Sequence, residues 1–139
     1  EGGGDCALDC NGPGCETACS SVDDCEIDCD GACTAECTSL SGCDVECGDD
    51  CDYTCTSASD CDVECGENCT VLCEDVGSCD ADVGPGSEVT CNRFGSCTVD
   101  CVGACVVNCG QGGCGVTCDG DDGFEECGGG VLACGGCPS

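Results

Sequence analysis

Residues 43–60 read CDVECGDDCDYTCTSASD, and residues 61–78 repeat the pattern as CDVECGENCTVLCEDVGS. Each stretch holds two C-x-φ-x-C units, in which φ is usually a small apolar residue. A three-residue link joins the two units, and a five-residue link follows the second. Cysteine and apolar residues alternate with polar ones inside a unit, which is the period of a β-strand that buries one face. A fixed repeat of such units predicts a solenoid of stacked coils.

The repeat covers residues 6–118 and places most cysteines on four columns that recur about every 18 residues. The first column holds Cys6, Cys25, Cys43, Cys61, Cys79, Cys97 and Cys114. The second holds Cys10, Cys29, Cys47, Cys65, Cys101 and Cys118. The third holds Cys15, Cys33, Cys51, Cys69 and Cys105. The fourth holds Cys19, Cys37, Cys55, Cys73, Cys91 and Cys109.

These columns predict an all-β fold, a small two-sided parallel β-solenoid of about seven coils with a disulfide-filled core. We expect an N-terminal tail at 1–5 and a Gly/Cys-rich tail or cap at 119–139 on either side of it. The φ residues should point inward with the cysteines, and Thr17, the polar exception, should bond to the backbone. Glycines in the three-residue links suit a tight reversal with positive φ angles. The apolar residues at the centre of the five-residue links should fold into the wider corner: Val22, Leu40, Ala58, Val76 and Phe94.

The composition points to an oxidising, extracellular location. The chain of 139 residues contains 27 Cys but only one Tyr, two Phe and no Trp, so an ordinary apolar core is out of reach and disulfides have to replace it. Cytosolic thiol buffers would keep such a framework reduced. We interpret Glu1 as the start of a processed, secreted chain, and we expect no membrane span because no stretch approaches about 20 apolar residues.

One coil indicates how some of the cysteines pair. In the coil that begins at Cys79, Val83 and Ser87 stand where the second and third columns have cysteine, and partners are expected to be lost together. Bonds between vertically stacked cysteines are the alternative, but the ladder spacing is longer than the Cβ separation that a disulfide prefers. We therefore predict bridges across the tight turn at Cys10–Cys15, Cys29–Cys33, Cys47–Cys51, Cys65–Cys69 and Cys101–Cys105.

The first and fourth columns leave two pairings open, one within a coil and one over the five-residue link, such as Cys55–Cys61. We favour the within-coil version: Cys6–Cys19, Cys25–Cys37, Cys43–Cys55, Cys61–Cys73, Cys79–Cys91 and Cys97–Cys109. Cys114, Cys118, Cys127, Cys134 and Cys137 have no obvious partners. Because the cysteine count is odd, at least one thiol has no partner within the chain. The C-G-G-C at Cys134 is interpreted as a terminal staple.

Acidic residues occupy the outward positions of the first unit in successive coils. One column holds Glu26, Asp44, Asp62 and Asp80, and the other holds Asp9, Asp28, Glu46, Glu64, Asp82 and Asp100. Like charges directly opposed in a sheet destabilise it, so cations should gather there. Ca²⁺ prefers carboxylate oxygen, which makes these residues, Asp9 excepted, the candidate metal ligands. A solvated, salt-screened polyanionic face is the alternative.

Composition also excludes several classes of function. The formal charge of −29 disfavours nucleic acid and anionic membranes as partners. With no His and no Lys, the chain has no ready general base near neutral pH, so we expect no enzyme and no required cofactor. A thiolate metal store would favour C-x-C and C-C clusters. Free thiols at most of the cysteines would distinguish such a store from a disulfide-bonded solenoid. Arg93 is expected to pair with a neighbouring carboxylate.

Two resemblances follow from these motifs. The architecture resembles the small disulfide-braced solenoids of insect antifreeze proteins, which implies ice binding, but Thr54-Cys55-Thr56 is the only T-x-T triplet. The C-D-V-E-C units at Cys43 and Cys61 resemble cysteine-rich repeat proteins expected on the surfaces of myxobacteria and their relatives, a resemblance that spans roughly 6–118 and implies no activity.

We therefore expect a secreted structural protein, the subunit of an extracellular filament or of a surface or adhesive layer. The alternative is a monomeric solenoid that binds ions or ice. A parallel edge left open at both ends would template a head-to-tail homopolymer, unless residues 119–139 cap one end. Divalent cations and other copies of the chain are the expected partners.

Overall fold

A computed structural model describes residues 5–10, 14–20, 23–29, 31–109, 114–118 and 125–134; at 5–10 and at Leu40 it describes the backbone alone. These residues form eleven strands and no helix. The strands are β1 Asp5–Cys10, β2 Cys15–Ser20, β3 Asp24–Cys29, β4 Cys33–Glu46, β5 Asp52–Glu64, β6 Thr70–Val83, β7 Ser87–Cys101, β8 Cys105–Cys109, β9 Cys114–Cys118, β10 Glu125–Gly128 and β11 Val131–Cys134. With no helix in this part of the chain, it contains no helical segment that could cross a membrane.

The strands stack in parallel and in register, so that each residue lies beside its equivalent one coil later. Cys43 pairs with Cys61, and Cys61 in turn pairs with Cys79. The first step is one residue longer, from Cys6 to Cys25, and the last is one residue shorter, from Cys97 to Cys114. The predicted β-solenoid of stacked coils, each about 18 residues long, is confirmed.

The wide corner differs from the expected loop, because the chain stays hydrogen-bonded as a strand around it. In β4 and β5 the ladder continues through Thr38 with Thr56 and Leu40 with Ala58. The bend comes from one residue of each link, the second, which adopts a left-handed conformation: Ser39 (φ 57°), Ser57 (57°), Asp75 (56°) and Arg93 (53°). The two faces are therefore parts of one continuously wound sheet rather than two separate sheets.

The apolar residues of the wide corner turn inward where their side chains are described. Ala58 is 6% exposed, Val76 is 5% exposed, and Phe94 is half-buried against the core. Val22 and the Leu40 side chain lie outside the described part of the structure. The corner column is therefore packed into the coil rather than presented as an external stripe.

Small side chains fill the middle of each coil, as the period of two predicts. The φ residues between the cysteines, such as Val45 and Val89, are fully buried. Burial also raises the pKa of the Tyr53 hydroxyl, and among the described residues that hydroxyl has no hydrogen-bond partner. Thr17 likewise lacks the backbone partner expected for it within this part of the structure, and its ladder neighbour Ala35 has no polar side-chain atom that could replace one.

Disulfides close the tight turn at four of the five predicted places: Cys29–Cys33, Cys47–Cys51, Cys65–Cys69 and Cys101–Cys105. The fifth predicted bridge, Cys10–Cys15, is not formed, since the Cys15 thiol is free. The Cys10 side chain lies outside the described part.

At the wide corner the favoured within-coil pairing is wrong, and the alternative over the link is correct. The bridges are Cys19–Cys25, Cys37–Cys43, Cys55–Cys61, Cys73–Cys79, Cys91–Cys97 and Cys109–Cys114. They replace the predicted Cys25–Cys37, Cys43–Cys55, Cys61–Cys73, Cys79–Cys91 and Cys97–Cys109 bridges, and also Cys6–Cys19, in which the Cys6 side chain is not described. The strand that winds around the corner brings each fourth-column Cα within 6.1–6.6 Å of the next first-column Cα. This separation lies within the range that a disulfide spans.

The segment after Cys118 forms a hairpin, β10–β11, that covers part of the C-terminal end. β11 pairs antiparallel with β8, and the Cys109 N–H donates to the Gly130 carbonyl at 2.6 Å. A disulfide joins Cys118 to Cys134, and Cys127 is also disulfide-bonded. Of the two alternatives for this end, an open parallel edge or a cap formed by residues from 119–139, the structure shows the second at β8, whose outer edge is occupied.

The coil without a tight-turn disulfide keeps a substitute for it. Val83 and Ser87 are each 2% exposed, and the Cys69 N–H donates to the Ser87 Oγ at 3.1 Å. Apolar contact and one hydrogen bond therefore stand where other coils have a sulfur bridge.

The double variant V83C/S87C should form an additional bridge. The bridges of the coils on either side, Cys65–Cys69 and Cys101–Cys105, have Cα separations of 6.4 and 6.0 Å, so the backbone geometry suits one. Because the closed loop is short, stabilisation of up to about 2 kcal/mol is expected, less the lost Ser87 hydrogen bond. Thiol counting and mass spectrometry measure the bridge, and each single variant should show one extra thiol. Two extra thiols in the folded double variant would contradict the assignment of these positions as facing partners.

Candidate cation-binding face

The ladder brings all nine candidate metal ligands together on one side of the solenoid, which we call the acidic face. One column runs Glu26, Asp44, Asp62, Asp80 and continues to Thr98. The other runs Asp28, Glu46, Glu64, Asp82, Asp100 and continues to Thr117. All nine carboxylates are exposed. Asp9 is in register with Asp28, but its side chain is not described.

The cysteines hold these carboxylates in place. In the unit Cys43–Cys47 the two cysteines and Val45 face inward, so Asp44 and Glu46 can only face outward. Each end of the unit is fixed by a disulfide to the opposite face of the coil, at Cys43 to Cys37 and at Cys47 to Cys51. The strand cannot rotate to separate its charges from those of the neighbouring coils, about 4.8 Å away.

Neighbouring negative charges raise the pKa values of carboxyl groups in both acidic columns. The charge of Asp28 raises the pKa of Glu46, with a further contribution from Glu64. Partial burial raises the pKa of Asp62, and the charges of Asp44 and Asp80 add to the effect. Full ionisation of the face therefore costs free energy in the folded protein.

Asp100 is the ladder neighbour of Asp82 and contributes to the shift of its pKa. Partial burial raises the pKa of Asp82, followed by a side-chain hydrogen bond with Asp100 and by the charge of Asp100. A hydrogen bond between two carboxyl groups requires a proton on one of them, since ionised carboxylates only accept. A divalent cation placed between the two groups would take over the role of that proton.

The chain supplies no cation to this face. Arg93 is the single basic side chain in the sequence, and its Nη1 lies 3.4 Å from the Asp75 Oδ1 at the wide corner. The predicted pairing of Arg93 with a carboxylate is thus confirmed. Both side chains are largely exposed, so this ion pair contributes little to stability. Counterions for the acidic face have to come from the solvent or from another molecule.

An open groove of about 990 Å³ runs beside the second acidic column, along the tight-turn edge. Its lining includes the acidic residues Asp28, Glu46, Glu64, Asp82 and Asp100, cysteines of the second column, and Gly48, Gly66 and Gly84 of the tight turns. This groove is not predicted from the sequence, because the glycines of the links are interpreted there as positive-φ residues and not as sites where coils approach closely.

The predicted positive φ angle is confirmed at two of the tight-turn glycines, Gly86 and Gly103, but other link glycines have a different role. The left-handed residues there are Asp50, Asn68, Gly86 and Gly103, whereas Gly84 is needed for close approach. A Cβ at Gly84 would lie 2.7 Å from the Gly66 carbonyl oxygen. Glycine recurs directly after the second-column position, at 48, 66 and 84. This recurrence is the feature of the sequence that indicates a close approach of the backbones of successive coils.

The cysteine clusters are not candidate metal sites. The Sγ atoms of Cys25, Cys37 and Cys43 lie within 4.8 Å of one another, and those of Cys47, Cys51 and Cys65 form a similar group. All six are disulfide-bonded. A metal site requires deprotonated thiols, and bridged sulfur cannot provide them. The thiolate-store alternative therefore does not fit these groups.

Comparison of the chain with protein-family models, with curated proteins and with solved structures found no match. The function therefore has to be argued from the acidic face and the solenoid that displays it.

Lowering the pH from 7 towards 4.5 should stabilise the protein rather than unfold it. The pKa values of Glu46, Asp62 and Asp82 are raised in the folded state, so the folded state binds more protons than the unfolded chain in this window. Stability is then greatest below the ordinary carboxyl pKa and falls as the pH rises through the raised values. Thermal unfolding followed by circular dichroism at low ionic strength measures this.

The variant E46Q supplies the control for that experiment. It should unfold at a higher temperature than wild type at pH 7 and show a smaller gain on acidification, because it removes a charge that its neighbours repel. High salt should flatten both profiles by screening. A midpoint that falls between pH 7 and 5 in low salt would show that repulsion on the acidic face is not significant.

Proposed function

We propose that the protein is a secreted structural protein of an extracellular surface layer and that its acidic face binds Ca²⁺. The observation that carries the proposal is the pair of in-register carboxylate columns, which no basic residue of the chain neutralises. The disulfide framework supports the location, since bridges in this number are typical of proteins in oxidising compartments.

The chemistry of Ca²⁺ suits this arrangement. Ca²⁺ takes six to eight oxygen ligands at about 2.3–2.6 Å in flexible geometry, and it accepts carboxylates in one- or two-oxygen modes. Carboxylates of successive coils, such as Glu46 and Glu64, are one ladder spacing apart and can share an ion. Ions bound in this way would relieve the repulsion that raises the carboxyl pKa values.

An open face leaves each ion incompletely coordinated. Water can fill the remaining positions, but so can carboxylates from the acidic face of a second molecule. Ca²⁺ would then join rigid rods side by side, a lateral contact of the kind that a surface layer uses. The scarcity of basic residues also removes most cleavage sites for trypsin-like proteases, as befits an exposed extracellular protein.

The layer is preferred to a head-to-tail filament. Uninterrupted stacking of coils from one molecule to the next needs a free edge on β8, and the β10–β11 hairpin occupies that edge. Catalysis is not part of the proposal, because the carboxylates lie on an open face where water is not excluded and the chain has no imidazole to assist them.

Ice binding has no regular surface to support it. On the ladder, Thr54 lies between Glu36 and Leu72, and the neighbour of Thr56 on one side is Glu74. The threonines therefore do not form an array.

Calcium titration tests the proposal. We expect several ions to bind per chain with dissociation constants of about 10⁻⁴–10⁻³ M, the range of extracellular calcium modules. Binding should raise the thermal midpoint and produce larger species in sedimentation, and EDTA should reverse both effects. The variant D62N/E64Q should bind fewer ions and assemble less.

The matched control is D52N/E88Q, which removes the same number of charges from exposed positions on the opposite face. It should bind and assemble like wild type. If Ca²⁺ and NaCl of equal ionic strength have the same effect on stability and assembly, the face is a solvated polyanion and the proposal is wrong.

A further inference from the structure

The two ends of the solenoid are built differently. At the N-terminal end, β1 pairs with β3 and β2 pairs with β4, and within the described residues neither strand has a neighbour on its other side. Both strands belong to the first described coil, so within the described structure they present two unpaired edges at the same level. Open edges are templates for strand addition.

The C-terminal end cannot receive this flat end. β11 runs antiparallel on β8, and β10 lies beyond it, whereas β9 is the last strand of the other face among the residues that the structure describes. The hairpin therefore projects two strands, or about 10 Å, beyond β8 and leaves a step. The Cys118–Cys134 disulfide fixes this hairpin in place. A second copy approaching with β1 and β2 would meet the hairpin before it reached β9.

We propose that the N-terminal ends of two copies pair with each other, β1 with β1 and β2 with β2, antiparallel about a twofold axis. Such a contact is isologous and closes at two molecules. The axis passes through the middle of both strands, at the positions of Leu8 and Thr17, because each is the central residue of its unit.

The register of this pairing follows from the alternation of faces. Side chains stay on their own face only in registers that differ by an even number of residues, and the register with Thr17 opposite the Thr17 of the second copy is the one that overlaps β2 with its equivalent over its whole Cys15–Cys19 unit. Thr17 has a solvent-shielded hydroxyl without a hydrogen-bond partner in the described structure, and its ladder neighbour within the chain is Ala35. Two Thr17 hydroxyls that meet at the axis can donate to and accept from each other, as cross-strand threonine pairs do. The dimer therefore supplies the partner that the single chain lacks.

The outward positions of the first coil also fit this register. It places Glu16 opposite the Ala18 of the second copy, and the position of Asp9 opposite that of Ala7. In the next coil, the ladder neighbours of Ala7 and Ala18 are Glu26 and Glu36. The first coil thus has alanine where a carboxylate would oppose a carboxylate across the axis. Like charges directly opposed are what a sheet has to avoid.

Sedimentation velocity over a range of protein concentrations, in EDTA and 150 mM NaCl, tests the proposal. Wild type should show a monomer–dimer equilibrium that stops at two copies and strengthens at higher salt, since both copies are acidic. A18D creates two like-charge contacts with Glu16 and should weaken the dimer about fivefold, whereas A18K creates two attractive contacts and should strengthen it about fivefold. T70D and T70K make the same charge changes at an exposed position in a middle coil and should leave the equilibrium unchanged.

The Thr17 hydroxyl provides a second readout. T17V removes a buried group that has no partner in the monomer, so it should leave the thermal midpoint of the monomer unchanged or raise it, and it should weaken the dimer. T17S keeps the hydroxyl and should keep the dimer. A protein that stays monomeric at all concentrations, assemblies that grow beyond two copies, or equal effects of A18D and A18K would each overturn the proposal. These measurements are made in EDTA, where Ca²⁺ does not bind the protein. A result that contradicts the dimer therefore leaves the calcium proposal untouched.

Discussion

Disulfides clamp most coils of this solenoid at both corners, and the other features of the fold depend on that clamp. A bridge at the tight turn and a bridge at the wide corner join the two faces, and one small side chain from each strand fills the space between them. Such an interior is too thin to exclude water by apolar burial alone. The closed loops are short, so each bridge stabilises modestly, and the stability has to come from their number.

The clamp also explains how the molecule tolerates its charge. Carboxylates held one ladder spacing apart would separate if the strands could twist or slip. Bridges at both ends of most of these strands, and at the Cys79 end of the strand that carries Asp82, prevent slippage, and the cost appears instead as raised carboxyl pKa values at Glu46, Asp62 and Asp82. The same rigidity makes the face a fixed array of carboxylates. A fixed array suits the binding of ions between molecules better than an adaptable loop would.

The sequence predicts the parts of the fold that its repeat controls. The register, the inward column and the acidic columns follow from an 18-residue period, and the paired loss of cysteine at Val83 and Ser87 identifies the tight-turn bridges. The wide-corner bridges could not be predicted, because the Sγ atoms of Cys25, Cys37 and Cys43 all lie within 4.8 Å and both pairings suit the same spacing. The corner itself uses Ser39, Ser57, Asp75 and Arg93 in a left-handed conformation, without the glycine that normally signals it.

The structure of the C-terminal end could not be predicted from the sequence either, because the repeat does not extend to it. After Cys118 the repeat stops, so no period indicates that residues 125–134 form an antiparallel hairpin on β8. The Cys118–Cys134 bridge spans 16 residues of chain, unlike the short loops of the coils, and no equivalent elsewhere in the sequence suggests it.

The claim that sulfur replaces an apolar core is tested most directly by stepwise reduction. The protein would be treated with increasing reductant under otherwise native conditions, its free thiols counted by alkylation, and its sheet content followed by circular dichroism. The account predicts that the sheet signal falls in parallel with the number of bridges and is lost when all are reduced. A sheet signal that persists in the fully reduced protein would contradict it.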